Sequence, residues 1–262
     1  MDRRQALGSA LAGLAGGGIA SATRADPAPL APTTPFTVPQ AVVPIAGSAE
    51  VFPVRRIYCI GRNYAAHARA MGSDPTREPP FFFQKPSDAV QFVAPGSVTE
   101  HAYPTLTKNY HHEFELVAAL HLGGRDVPVE KALDLVFGYA AGLDMTRRDL
   151  QRFMGDQKKP WEIGKSFDHA APIGPIHRVA QVGHFTKGSI RLKVNGEVRQ
   201  DADLKEMIWS VAEQIAELSR AFELRPGDII FSGTPDGVGP VVPGDLMHGE
   251  IEGLPSISVK VV

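Results

Sequence analysis

Hydrophobic and polar positions change over in short runs along most of this 262-residue chain. Val54 to Ile60 is an apolar run of strand length, broken by Gly61-Arg62-Asn63. Tyr64 to Met71 reads as a short helix, and P-P-F-F-F-Q-K-P over 79–86 as a short apolar strand between prolines. His112 to Leu122 alternates and then turns apolar, as a strand entering a core does. Helices are expected over Val129 to Val136 and Met145 to Phe153, with a small-residue strand from Gly138 to Leu143 between them. Ile190 to Val194, then Asn195-Gly196, then Glu197 to Arg199 predicts a hairpin, because Asn-Gly suits a two-residue turn with both residues at positive φ. The longest helical period joins Leu204, Met207, Ile208, Val211, Ile215, Leu218 and Phe222, with Asp201 or Asp203 as its cap. R-P-G-D at 225–228 then turns the chain into the strand Ile229 to Phe231 and a glycine-rich loop, 232–240. Many short strands with few helices predict an α+β fold with a β-rich core.

The first 53 residues break this pattern. Arg3-Arg4, a weakly apolar Ala/Gly/Leu run and Ala20-Ser21-Ala22 read as a twin-arginine export signal over residues 1–25, with periplasmic delivery implied. The competing reading is a cytoplasmic protein with an unstructured N-terminus. The run is too short and glycine-rich to span a membrane. Seven prolines lie between residues 26 and 53, so 26–50 is expected to be an extended linker and 51–262 the folded domain.

Composition narrows the function. With 27 basic against 29 acidic residues and a net charge of -2, the chain lacks the basic face that nucleic acid or an anionic membrane surface requires. The single cysteine, Cys59, cannot form an internal disulfide and is expected to be a small buried hydrophobe.

The candidate chemistry centres on H-H-E-F-E, 111–115. Residues two apart on a strand share a face, so Glu113 and Glu115 project together while Phe114 turns toward the core. Like charges this close raise each other's pKa unless solvent or a cation intervenes. A solvated strand face is the simpler remedy. Asp144 changes the balance, because it follows the apolar run A-A-G-L, where a lone carboxylate is costly. Three carboxylates without a His/Cys set favour a hard cation, Mg²⁺ or Mn²⁺, with His111 and His112 as neighbours that orient the carboxylates.

Seven blocks in order then carry a resemblance. They are Y-C-I-G-R-N-Y-A-A-H-A, F-F-F-Q-K-P, H-H-E-F-E-L, G-L-D-M-T-R-R-D-L-Q, P-W-E-I-G-K-S-F-D, L-K-V-N-G-E-V-R-Q and S-G-T-P-D-G-V-G-P. From about Val51 to Val262 the chain resembles the fumarylacetoacetate hydrolase superfamily, in its fumarylpyruvate and acylpyruvate hydrolase branch. The resemblance implies a β-rich roll, usually dimeric, acting on a small keto acid, with Mg²⁺ or Mn²⁺ on Glu113, Glu115 and Asp144. It implies a catalytic histidine at His67 and an active-site lysine at Lys165. Arg62, Tyr64, Arg148, Gln151, Gly233 and Thr234 fall at substrate-contacting positions, whereas Trp161 is read as packing. The implied reaction is hydrolysis of a carbon–carbon bond in a β-diketo acid, giving pyruvate and a carboxylic acid.

One position departs from the family pattern. The acid expected three residues after His67 is Ala70. A histidine without its carboxylate is less basic and less firmly oriented. That departure lends weight to a second enolate chemistry, decarboxylation or keto–enol tautomerisation of an oxaloacetate-like acid. A third reading is an exported protein that binds a keto acid without turnover.

Overall fold

The structure, a computed structural model, describes residues 34–65 and 78–262. The signal expected over 1–25, His67, Ala70 and most of the helix expected over Tyr64 to Met71 lie outside them. The chain divides into two units, Met1–Val38 and Pro39–Val262. In the first, the described residues 34–38 hold no strand or helix. In the second, the fold begins earlier than proline content suggested. Val42–Pro44 pairs antiparallel with Val51–Pro53, and Val43 is fully buried. The prolines sit at the ends of this two-stranded ribbon, where a missing N–H costs no ladder bond.

The α+β reading holds. Among the described residues the largest sheet has eight strands. Its path runs Phe81–Lys85, Arg56–Gly61, Asp228–Phe231, Phe114–Leu120, Val136–Leu143, Ala171–Ile173 and Val90–Phe92, with His177–Arg178 also paired to Val136–Leu143. Phe114–Leu120 is central and every residue in it is buried. That explains its loss of alternation, since a strand covered on both faces needs apolar residues on both. A five-stranded sheet packs nearby, in the order Glu197–Asp203, Ser189–Val194, Leu246–Ile251, Ile257–Val261, Val98–His101. Phe114 joins the two sheets: a Cβ on Gly249 would lie 2.3 Å from its ring, so only glycine admits it.

Four local expectations shift by a few residues. The hairpin turn is as read, with Asn195 at φ 53° and Gly196 at φ 84°, but its second strand continues to Asp203. The helix expected from Leu204 is a single 3-10 turn, Leu204–Glu206, capped by Asp203, followed by a separate helix Val211–Ala221. Asn63 breaks it: its carbonyl accepts from the Ile208 N–H at 2.7 Å, and its side chain accepts from the Trp209 N–H and donates to the Trp209 carbonyl. The chain restarts with a Ser210–Glu213 capping box. Likewise the helix expected from Met145 begins at Arg148, because Thr146–Arg147 pairs with Tyr110 and His111. The helix expected over Val129 to Val136 is one short turn, Val129–Ala132, then a 3-10 turn. No helix among the described residues is long and apolar enough to cross a membrane.

Candidate metal and active site

Register brings the acidic residues together. Phe114 lies opposite Leu143 in the antiparallel pair, so Glu113 and Asp144 meet just past its end, where the Asp144 N–H donates to the Glu113 carbonyl at 2.8 Å. Glu113 occupies the break between Tyr110–His112 and Phe114–Leu120, and Glu115 is the second residue of the central strand. All three carboxylates are buried, and one oxygen from each lies within 4.8 Å of the others.

Three cations are buried beside them. The Lys165 ammonium donates to Glu113 Oε2 at 2.7 Å, Asp144 Oδ2 at 2.8 Å and the Thr146 hydroxyl at 2.8 Å. Arg148 pairs with Glu113 through Nη2 and donates to Gln151 from Nη1 at 2.6 Å. Lys85 lies 2.8 Å from Asp144 Oδ1 and donates to the carbonyls of Met145 and Lys165. Burial alone would lower the Lys165 ammonium, but Asp144 and Glu113 outweigh it and hold it above its ordinary value. Glu115 fares differently. Its Oε2 accepts the Gly233 N–H at 2.8 Å. Burial, then Asp144 and Glu113, push its carboxyl well above the usual range. An all-oxygen donor set with a carboxylate this reluctant to ionise fits a hard divalent cation, whose charge would satisfy it.

A second ring of hydrogen bonds holds the carboxylate strand against the glycine-rich loop. Gln200, fully buried, accepts from the Phe114 N–H at 3.0 Å and donates to the Thr234 hydroxyl at 2.7 Å and the Pro235 carbonyl at 2.8 Å. Thr234 donates on to the Phe114 carbonyl at 2.9 Å. Gly237, at φ 92°, rests so close to the Arg199 carbonyl that any Cβ would lie 1.8 Å from it. His112 contacts Gln200 at 3.3 Å, and burial pushes its imidazole down to about 4. His111 contacts Asn109, and burial followed by Arg148 pushes it down to about 3. Both are neutral imidazoles at physiological pH, and both lie outside the acidic cluster. Gln200→Leu, similar in volume, would strip partners from two buried backbone groups and a hydroxyl. It is expected to cost about 3 kcal/mol or more in chemical denaturation.

Glu113 and Glu115 line a narrow cavity of about 20 Å³. Glu113, Glu115, Arg148, Gln151, Lys165, Thr234 and Arg62 all reach it from the sequence-derived set. Asp144, Tyr64 and Gly233 do not line it. Tyr64 is buried behind the site and bridges to Met207, and burial raises its phenol. Gly233 acts through its N–H on Glu115. Three participants lacked a role in the sequence reading: Lys85, Gln200 and Phe83. Trp161, read as packing, forms part of the wall, edge-on to Phe81 with ring centroids 4.9 Å apart. A lysine ending an apolar strand was the available signal for Lys85. Gln200 looks like any polar residue of an exposed hairpin.

Comparison with known proteins places this geometry. The family model described as fumarylacetoacetate (FAA) hydrolase, C-terminal, matches residues 56–262. A fumarylpyruvate hydrolase of Ralstonia sp is 43% identical over 188 residues, 72% of this chain and 95% of that protein. The human mitochondrial oxaloacetate tautomerase is 41% identical over 207 residues, 79% of this chain and 91% of that protein. The crystal structure of fumarylpyruvate hydrolase from Pseudomonas aeruginosa, in complex with Mn²⁺ and pyruvate, superposes with a TM-score of 0.86 at 58% identity, covering 88% of this chain and 99% of that one. The chain belongs to the fumarylacetoacetate hydrolase family.

Proposed function

We propose that the protein is a divalent-metal-dependent hydrolase of acylpyruvates, fumarylpyruvate foremost. The buried carboxylate triad, two members of which line a cavity with Lys165, Arg148 and Gln151, carries the reading. The identity to fumarylpyruvate hydrolases supports it. Glu113, Glu115 and Asp144 would hold Mg²⁺ or Mn²⁺, which supplies Lewis-acid stabilisation of negative charge on the keto-acid oxygens.

The chain's own groups do the rest. Arg148 and Gln151 bind and orient the keto-acid carboxylate in the cavity. Lys165, kept charged by Glu113 and Asp144, offers an ammonium to oxyanion charge as it develops. His67 takes a proton from water, which adds to the distal acyl carbonyl. The carbon–carbon bond breaks, its electron pair passes to the methylene carbon of the pyruvate half, and protonation there gives pyruvate beside a carboxylate.

A second reading, keto–enol tautomerisation or decarboxylation of an oxaloacetate-like acid, draws support from Ala70 and from the identity to the human tautomerase. One assay separates the two. Protein stripped with a chelator and reloaded with Mg²⁺ or Mn²⁺ is expected to consume fumarylpyruvate, releasing pyruvate and fumarate in equal amounts. Turnover of oxaloacetate alone would favour the second reading, and silence on both would favour a binding protein. Ala70→Glu is expected to raise hydrolytic kcat about tenfold. An unchanged kcat across a series of acylpyruvates would mean that the histidine's orientation is supplied by another group.

A further inference from the structure

Outside the triad cavity lies a wider vestibule that shares Arg62, Phe83, Gln151 and Trp161 with it. Two aromatic side chains, Phe83 and Trp161, therefore border both spaces. Arg62, which the two spaces share, and Arg152, Lys158 and Lys159 line the vestibule against Asp156 and Glu162. Among the described residues, Arg62, Arg152 and Lys158 have no carboxylate within ion-pairing distance, while Lys159 donates to Gln157 at 2.7 Å.

Two of these cations sit in backbone that L-residues rarely adopt. Arg62 has φ 59° and Lys158 φ 56°. Lys158 closes the helix Arg148–Asp156. Its N–H donates to the Gly155 carbonyl, and the Lys159 N–H to the Met154 carbonyl, the arrangement that usually places glycine at this position. A charged residue in place of glycine costs stability at each site. The helix C-terminus favours a nearby cation, which accounts for Lys158 and Lys159 in part. It does not account for Arg62, which follows the strand Arg56–Gly61 and holds its guanidinium 5.9 Å over the Trp161 ring.

We propose that this vestibule is a second anion subsite, which binds a carboxylate at the far end of the acyl group and so selects dianionic acylpyruvates over monoanionic ones. The inference rests on the acylpyruvate reading of the inner cavity. Phe83 and Trp161 form the passage, which suits a flat, conjugated or short apolar spacer. Arg62, Arg152 and Lys158 receive the second charge.

The test uses the full chain loaded with Mn²⁺ and two substrates: fumarylpyruvate, with a distal carboxylate, and acetylpyruvate, without one. The ratio of their kcat/KM values is measured for the parent and for Arg152→Gln/Lys158→Gln. The ratio is expected to fall about tenfold, mainly through KM for fumarylpyruvate, and the parent's own ratio to fall as salt is added. Lys158→Gly removes the charge and the backbone strain together. It is expected to melt no lower than the parent while losing selectivity, so a fall in the ratio is separable from misfolding. Binding is followed independently by quenching of tryptophan fluorescence with fumarate and with acetate. If the parent cleaves both substrates and the ratio is the same in all variants, the subsite is overturned and the hydrolase reading stands. If the parent cleaves neither but fumarate binding weakens in the variants, the subsite stands and the hydrolase reading falls.

Discussion

Glu115→Gln is expected to make the metal-free protein more stable while destroying its metal-dependent turnover. Glu115 is the triad member whose carboxyl is held well above its usual range, by burial and then by Asp144 and Glu113. A glutamine keeps an oxygen for the Gly233 N–H at the same place and removes the charge. Relief of a strained functional position of this kind is worth about 1–2 kcal/mol, a shift of a few degrees in melting temperature. Metal affinity moves the other way. Even residues outside the ligand set cost 10–100-fold when lost, so a ligand itself is expected to cost about 100-fold or more. The sign of the pH effect follows. Because the folded-state pKa is raised, the stability contributed by the Glu115 proton is fully present below the ordinary glutamate pKa of about 4.3. It is lost as pH rises through the folded value. Melting of chelated protein should therefore show a downward slope above that pH which Glu115→Gln flattens, and calorimetric titration with Mn²⁺ should show the affinity loss. A variant less stable than the parent without metal would mean that the charge on Glu115 is already compensated.

Lys165→Met is expected to have the largest destabilising effect in the site. Its ammonium lies between Glu113 and Asp144, donating to both, and is almost fully buried. Removing it leaves two buried carboxylates facing each other, with Arg148 and Lys85 beside them. Breaking a buried pair in this way costs about 3–5 kcal/mol. The loss should shrink when Mn²⁺ is present, because a bound cation would replace the missing charge. Turnover should not recover with it: loss of a donor to developing oxyanion charge lowers kcat about 10²–10³-fold. Urea denaturation with chelator and with Mn²⁺, beside kcat on fumarylpyruvate, separates the two effects. Equal stability of parent and variant without metal would show that Lys85 and Arg148 neutralise the cluster unaided.

These effects follow from features unequally visible in the sequence. The triad was legible because strand parity and an acid after an apolar run are local signals, and the antiparallel register carried them to one place. The inner hairpin was legible because Asn-Gly specifies its own backbone. The helix from Leu204 was overdrawn because its interruption comes from Asn63, 146 residues away from Trp209, and nothing near Met207 announces it. Gln200 was invisible for the same reason: its partners are Phe114, Thr234 and Pro235, each on a distant segment. Lys85 shows the limit of burial rules. Its strand reads as apolar, and only the fold reveals that its ammonium is enclosed with Asp144.

The division between triad and vestibule has an evolutionary consequence. Glu115 stands on, and Glu113 and Asp144 directly adjoin, paired strands whose neighbours on both sides are fixed by register. Most of the vestibule wall belongs to one continuous stretch, residues 151–162, a helix end and the turn after it. Changes in that stretch can reshape the vestibule without disturbing the register that brings the three carboxylates together. A lineage can thus change its diet while keeping its chemistry.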